Sequence, residues 1–273
     1  MAVDPRGRLV VKANDLIQKS RFSLSLQQQR IVLFLISLIS EGDYSFKEYE
    51  FDLNDFCMLC GIDYKNGKNH INLKNALQAI SDKSVWVDID GEETLVRWLE
   101  KPKINRKTRR IKVRLDSDMM PFLLQLRRNF TSYELRWTLK FRSKFSIRLY
   151  ELVKSLHYKE LEPYDYVLSL NDLKERMDAT GYTTWQDFKT RALHPAIQEI
   201  NEYSDKRVSY TTIKRASRSV NYISLHMESK DVDERIRLAC DLGDVGLEGL
   251  KAALPDGSDP DDFEDIDDDD YSA

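Results

Sequence analysis

Along this chain, hydrophobic positions recur with a helical period in some stretches and alternate in others, and the order of the two patterns is itself repeated. SLQQQRIVLFLISLIS, Ser25 to Ser40, is rich in helix formers and apolar at its centre, which predicts a core helix. Glu41, Gly42 and Asp43 make a turn. FDLNDFCMLCGID then starts a second helix, with Asp52 as cap, Asp55 three residues on and Gly61 at its end. A third helix over about Asn69 to Ile80 turns Leu73, Ala76, Leu77 and Ile80 inward and Lys74, Asn75 and Gln78 outward. SVWVDI alternates as a strand, Asp90-Gly91 signals a hairpin, TLVRWLEKPKI is a second strand, and Arg109 to Leu115 a third. Three helices and a strand hairpin is the order of a winged helix.

From Ser143 the same order returns. Ser143 to Leu156 is an apolar helix, Asn171 to Ala179 and Trp185 to Asn201 form a helix pair around a glycine-containing turn, and Val208 to Leu225 alternates as two strands about a basic turn. Ser169 stands three residues before Asp172, and Thr184 three before Asp187, so each helix of the pair opens with a hydroxyl cap and a nearby carboxylate. Leu53-Asn54-Asp55 matches Leu170-Asn171-Asp172. Gly61, Ala76, Gln78 and Ile80 match Gly181, Ala196, Gln198 and Ile200 at a constant offset of 120. The expected fold class is α+β: two tandem winged-helix (helix-turn-helix) domains and a disordered acidic C-terminal tail. The expected division is 1–129, 130–230 and 231–273. Residues up to about Lys19 are expected to form an arm docked by Val10, Val11, Leu16 and Ile17. Asp231 to Leu254 is expected to hold one short helix or two, with Ile236, Ala239, Cys240 and Leu250 as a weak apolar side.

Charge changes this picture more than composition does. The net charge of -4 hides a split: from Ala252 onward there are ten Asp and Glu and no Lys or Arg, so the first 251 residues, with all 42 cations and 36 of the 46 acids, carry +6. A basic body with an acidic tail suits a polyanion partner, with the tail competing for the body or docking another protein. Between Arg97 and Arg114 nine cations face one acid, and between Lys206 and Arg218 five face none. Both clusters fall on hairpins, the wing positions. Arg106, Lys107, Arg109 and Arg110 in the first wing, and Lys214, Arg215 and Arg218 in the second, are candidates to lie along phosphates. The opposing explanation is a solvated charged face, which normally mixes signs. On the second helix of the later pair, Phe188, Ala192, Leu193, Ala196, Ile197 and Ile200 share a core side. Thr184, Thr190, Arg191, His194 and Gln198 stand opposite, able to donate to phosphates or base edges. Taken alone, this pair is equally compatible with an ordinary two-helix corner of a core.

Catalytic and metal chemistry finds little support. Tyr150 with Lys154, and Tyr210 with Lys214, have the tyrosine-x-x-x-lysine spacing of strand-nicking enzymes. His70, His157, His194 and His226, the four histidines, form no histidine-x-histidine clamp. Cys57 and Cys60, with His70 downstream, lack a fourth zinc ligand and flank the apolar Met58-Leu59, which favours buried helix residues. No glycine-rich phosphate loop occurs. The expectation is a non-enzyme without cofactor or metal. Three cysteines fit a reducing cytoplasm. The opening MAVDPRGRL lacks the apolar core of an export signal, and Ile31 to Ile39 is far short of the ~20 residues a membrane span needs. No membrane partner is expected.

SRFSLSLQQQRIVLFLIS, SKFSIRLYELVKSL and DFKTRALHPAIQEINEYSDKRVSYTTIKRASRSV together resemble the RepA/RepE-type plasmid replication initiators, over about Leu9 to Leu225. Ser146 to Leu152 and Pro195 to Ile197 are the most specific parts. The resemblance implies two tandem winged helices that bind directly repeated origin sequences called iterons, melting of adjacent AT-rich DNA, and recruitment of host replication proteins such as the initiator and helicase. It also implies monomers that initiate, dimers that repress their own operator, and dimerisation through the first domain, whose DNA contacts are accessory. Carried over, the main reading helix is Trp185 to Asn201, with Lys189 and Arg191 on the family's basic stretch, and the first reading helix is Asn69 to Ile80. On an ideal wheel Lys189 falls near the core side, and Pro195 removes one helix hydrogen bond and can change the phase. The alternative is a winged-helix transcriptional regulator that starts no replication. Iterated repeats beside an AT-rich tract separate the first from the second, which calls for a lone inverted repeat.

Overall fold

Ser25 and Gln28 begin the first core helix by capping each other: the Gln28 N–H donates to Ser25 Oγ at 3.3 Å and the Ser25 N–H to Gln28 Oε1 at 2.9 Å. The helix ends four residues earlier than the sequence pattern predicts. Ser37 turns its hydroxyl onto the Phe34 carbonyl at 2.7 Å, a local bond that competes with further helix. The computed structural model describes residues 8–53, 56, 68–89, 91–105, 107–156, 163–214 and 220–242, with backbone alone at 68–72, 88 and 89.

In chain order the elements are β1 (Leu9–Ala13), α1 (Asn14–Gln18), α2 (Leu26–Ile36), β2 (Tyr49–Asp52), α3 (Lys68–Ser81), β3 (Ser84–Ile89), β4 (Glu92–Arg97), β5 (Lys103–Asn105) and β6 (Arg110–Val113). They continue with α4 (Met120–Leu123), β7 (Phe130–Glu134), α5 (Arg136–Leu139), α6 (Lys144–Leu156), β8 (Tyr164–Ser169), α7 (Leu170–Arg176), α8 (Trp185–Phe188), a wide turn at Lys189–Leu193, α9 (His194–Tyr203), β9 (Lys206–Ile213), β10 (Tyr222–Ser229) and α10 (Val232–Leu242). The helix expected to start at Asp52 falls almost wholly outside the described residues, as do Cys57 and Cys60.

Each half builds a three-stranded sheet of the same design. In the first, β6 lies between β2 and β5; in the second, β10 lies between β8 and β9, all antiparallel. At the strand-to-helix junction, the Leu53 N–H donates to the Arg109 carbonyl and the Leu170 N–H to the Asn221 carbonyl, both at 2.9 Å. Equivalent residues therefore make an equivalent bond, which gives the repeated sequence order a backbone counterpart. The hairpin signalled by Asp90-Gly91 forms, with Gly91 at φ 86°, but β3 and β4 are a separate two-stranded sheet inserted before the wing. The strand expected through TLVRWLEKPKI is broken. β4 ends at Arg97 and β5 starts at Lys103, after Pro102, which cannot donate to a ladder.

From Leu9 onward the expected N-terminal arm is part of the core instead. β1 pairs with β7 from Leu9 opposite Glu134 to Ala13 opposite Phe130, and Val10, Leu16 and Ile17 are buried. Its partner strand is over a hundred residues away, so local pattern carries no trace of it. That ladder joins residues on either side of position 129. α6 lies between the halves: the Gln18 amide donates to the Ser155 carbonyl at 2.9 Å from one side, and Arg148 Nε to the Arg176 carbonyl at 2.8 Å on the other. Beyond the second sheet, α10 docks on the body through the buried Ala239, and Lys140 Nζ reaches the Asp241 carbonyl at 3.2 Å. Residues after 242 lie outside the description. No described helix is long and apolar enough to cross a membrane.

Candidate nucleic-acid interface

The reading helix of the second half is fixed at its start by Thr184. Its Oγ accepts the Asp187 N–H at 3.1 Å and its hydroxyl donates to Asp187 Oδ2 at 2.7 Å, so the group is fully occupied as a cap. Trp185 meets the rings of Phe188 and Tyr210, both 6.1 Å away, and pins this end to β9. Phe188, Ala192, Leu193, Ala196, Ile197 and Ile200 are buried; Gln186, Thr190, Arg191, His194 and Gln198 are exposed. Between them the helix widens. The His194 N–H donates to the Lys189 carbonyl, five residues back rather than four, and Pro195 follows with no N–H to offer. This local π-type turn leaves Lys189 half-buried at the margin of the core side. Arg191 lies 3.6 Å from Asp187, and the Gln186 amide donates to Thr190 Oγ1 at 3.2 Å.

In the first half α3 presents Lys74, Asn75 and Gln78 outward, with Leu73, Ala76, Leu77 and Ile80 buried, in agreement with its periodicity. Its wing is the β5 to β6 turn. Asn105 Oδ1 accepts the N–H groups of Lys107 at 3.0 Å and Thr108 at 3.1 Å, closing a side-chain turn, and Arg109 takes a left-handed φ of 53°. Lys107, Arg109 and Arg110 are exposed there; Arg106 lies outside the described residues. The local charge count overstates the free charge. Lys103 and Lys112 pair with Glu48 at 3.3 and 3.6 Å, Lys112 also with Glu50, and Arg114 with Glu100. Among the described residues, no acid pairs with Lys107 or Arg110 at the tip. In the second wing Lys214 is exposed, and Arg215 and Arg218 lie outside the description. Lys206 and Arg207, counted with that wing, sit at the far end of β9. Lys206 is buried and donates to Ser229 Oγ at 2.6 Å, while Arg207 pairs with Glu234 at 2.5 Å.

Two winged helices in tandem, each with a polar-faced helix beside a cationic hairpin, find their match among known families. The family description "Initiator Replication protein, WH1" matches residues 9–154, and "Initiator Rep protein, WH2" matches residues 169–227. The chain belongs to the initiator replication protein family. It is a DNA-binding initiator of plasmid replication rather than an enzyme. Among solved structures, a "Crystal structure of Pi initiator protein in complex with iteron DNA" has the same fold, with a TM-score of 0.67 and 18% identity over 83% of this chain and 99% of that one.

In this initiator the most specific stretch of sequence, Ser146 to Leu152, touches no solvent-facing groove: all seven residues are buried. Ser146 Oγ donates to Glu199 Oε2 at 2.5 Å and the Tyr150 hydroxyl to Asp205 Oδ1 at 2.8 Å, both toward the WH2 side. Glu151 turns the other way, taking Lys12 Nζ at 2.5 Å and the Tyr133 hydroxyl at 2.6 Å. Arg148 lies over the Phe22 ring, 4.1 Å from its centroid. Burial lowers its guanidinium to about 10, against the pull of Glu151 and Asp178. The stretch is thus a fastener between the halves, which sequence alone does not reveal. Tyr150 and Lys154 are also accounted for. Lys154 Nζ binds Asp205 Oδ2 at 3.0 Å, and burial together with the Asp205 charge pushes the Tyr150 phenol well above its ordinary 10.0, the opposite of what a nucleophile needs. Among the described residues, no cluster of His, Cys, Asp or Glu is fit to hold a metal.

Proposed function

We propose that this initiator binds iterons, the direct repeats of a plasmid origin, as duplex DNA, promotes opening of the neighbouring duplex, and recruits host replication proteins, an initiator and a helicase among them. The WH2 half is the principal reader. Thr190, Arg191 and His194, with Lys189 at the margin and the capped Thr184 at the entry, face the major groove, and Lys214, Arg215 and Arg218 grip the flanking backbone. Lys74, Asn75 and Gln78 make accessory contacts from the first half, and Arg106, Lys107, Arg109 and Arg110 hold phosphates. The first domain, 1–129, whose β1 is completed by β7 from across that boundary, also carries dimerisation, and dimers bind the protein's own operator; 130–230 is the reading domain and 231–273 an acidic tail whose first part, α10, docks on the body. The site of action is the bacterial cytoplasm.

One observation carries this reading: a polar-faced helix beside an antiparallel hairpin with exposed cations, Lys107, Arg109 and Arg110 in one half and Lys214 in the other, occurs twice on one frame. The likeness to the Pi initiator bound to iteron DNA supports repeats as the target. Titration of the full chain with duplexes carrying direct repeats from its origin, and with scrambled duplexes of equal length, tests it. Selective binding that weakens as salt rises is expected. Equal binding to both, or cleavage of either by the purified chain, rules it out.

A further inference from the structure

Residues four apart do not stay in line along an ideal α-helix: at 3.6 residues per turn, each such step winds about 40° around the axis. Gln186, Thr190, His194 and Gln198 are separated by three such steps, so ideal geometry would put the last about 120° from the first. One end of the row would then swing toward the apolar side. All four are exposed nonetheless, while Phe188, Ala192, Leu193, Ala196, Ile197 and Ile200 are all buried. The wide turn explains how. A turn closed by the His194 N–H on the Lys189 carbonyl holds one more residue than an α turn and takes up the accumulated drift. Pro195, directly behind it, has no N–H with which to restore ordinary pairing at the Arg191 carbonyl.

We propose that Pro195 and the wide turn it stabilises act as a positioning device that aligns Gln186, Thr190, His194 and Gln198 in one groove-facing row, and that Gln186, at the N-terminal end, sets base preference. This rests on the reading of the WH2 half as the DNA-binding head. The row is about 18 Å long, twelve residues at 1.5 Å each, enough to pass several base pairs. A glutamine amide offers the donor and acceptor that adenine presents in reverse, and threonine and histidine serve base edges or phosphates. Gln186 donates to Thr190 Oγ1 at 3.2 Å, so the two side chains at the helix entry are already oriented together. That lowers the conformational cost of engaging a base pair.

The test uses the full chain and labelled duplexes carrying one direct repeat, together with duplexes in which each position of that repeat is changed in turn. Gln186→Ala is expected to lose about tenfold of discrimination at one or two adjacent positions, with an unchanged salt slope. Gln198→Ala is expected to lose it at different positions. Pro195→Ala is expected to alter preference where Gln186 and Thr190 read and to spare the positions that Gln198 reads, with cooperative unfolding retained. An unchanged position profile for Gln186→Ala overturns the row. A Pro195→Ala chain that weakens equally on every duplex, keeps the original profile, or fails to fold has lost only structural support, and overturns the proline's positioning role. Failure of the unsubstituted chain to prefer repeats sinks the functional reading itself, which distinguishes the two failures.

Discussion

Lys12 and Glu151 meet at 2.5 Å in the interior, 139 residues apart in sequence and both almost wholly shielded from water. The pair ties the first strand to the helix shared by the halves, and Tyr133 donates to the same carboxylate oxygen. Burial lowers the Lys12 ammonium below its ordinary 10.5 in spite of the neighbouring carboxylate. Such a pair is weak as a net stabiliser but costly to halve. Lys12→Met is expected to destabilise the chain by about 3 to 5 kcal/mol, because it leaves Glu151 as an uncompensated buried charge. Urea unfolding measures this. Adding Glu151→Leu should recover part of the loss, and strictly additive effects would show that the two side chains are not coupled.

Asp205 gives the fold an acid limit. Burial alone would raise its carboxyl, but the charges of Lys154 and Lys206 and the hydrogen bonds from Lys154 and Tyr150 outweigh burial and hold it below the ordinary 3.8. A carboxyl depressed in the folded state contributes stability above pH 3.8 that is lost as pH falls toward the depressed value. Asp205→Asn is therefore expected to lower the unfolding temperature at neutral pH, with the gap from the unsubstituted chain narrowing below pH 3.8. A gap that stays constant through that range argues against this assignment.

Thr184 has its hydroxyl engaged in both directions within the cap. Thr184→Ala is expected to cost about 1 kcal/mol of stability, and Thr184→Ser to restore most of it. Thermal unfolding of the three proteins side by side settles the point.

Arg191 on the reading helix and Lys107 at the first wing tip are expected to fail differently. Arg191→Ala should weaken specific binding by about 1 to 3 kcal/mol. Lys107→Ala should act alike on all sequences and reduce the salt slope by about 1. Titrations at several salt concentrations in which both variants behave alike would contradict this division.

Ten acids after Ala252 follow a stretch of 251 residues that is net basic. A chain ending at Leu254 is expected to bind DNA more tightly at low salt, with the difference vanishing as salt screens the charges. Equal affinity at every salt concentration would deny the tail any competition with DNA.

The features that the residue pattern makes legible here are those closed within a few positions. Ser169 and Thr184 each cap a helix, taking the N–H of the residue three positions on, and both caps form. The inward side of α3 follows from spacing, since one helical phase holds along it, whereas the main reading helix keeps its expected inward residues through the change of phase at its wide turn. Part of the wing's basic count misleads for the same reason in reverse. The acids that neutralise Lys103 and Lys112, Glu48 just before β2 and Glu50 within it, arrive from more than fifty residues earlier.

The amino-acid order by itself determined the repeated helix and strand succession, the capped entry to the reading helix, its polar outer side, and the separation of a basic body from an acidic tail. Only the tertiary structure decided that Lys12, Arg148, Glu151 and Lys206 are interior groups, that Leu9 to Gln18 belong to the core, and that the helix widens ahead of Pro195. The physical reason is range. A cap or an amphipathic side is fixed by neighbours along the chain, whereas a buried charge, a strand partner or a shift of helical phase exists only once distant surfaces have closed around it.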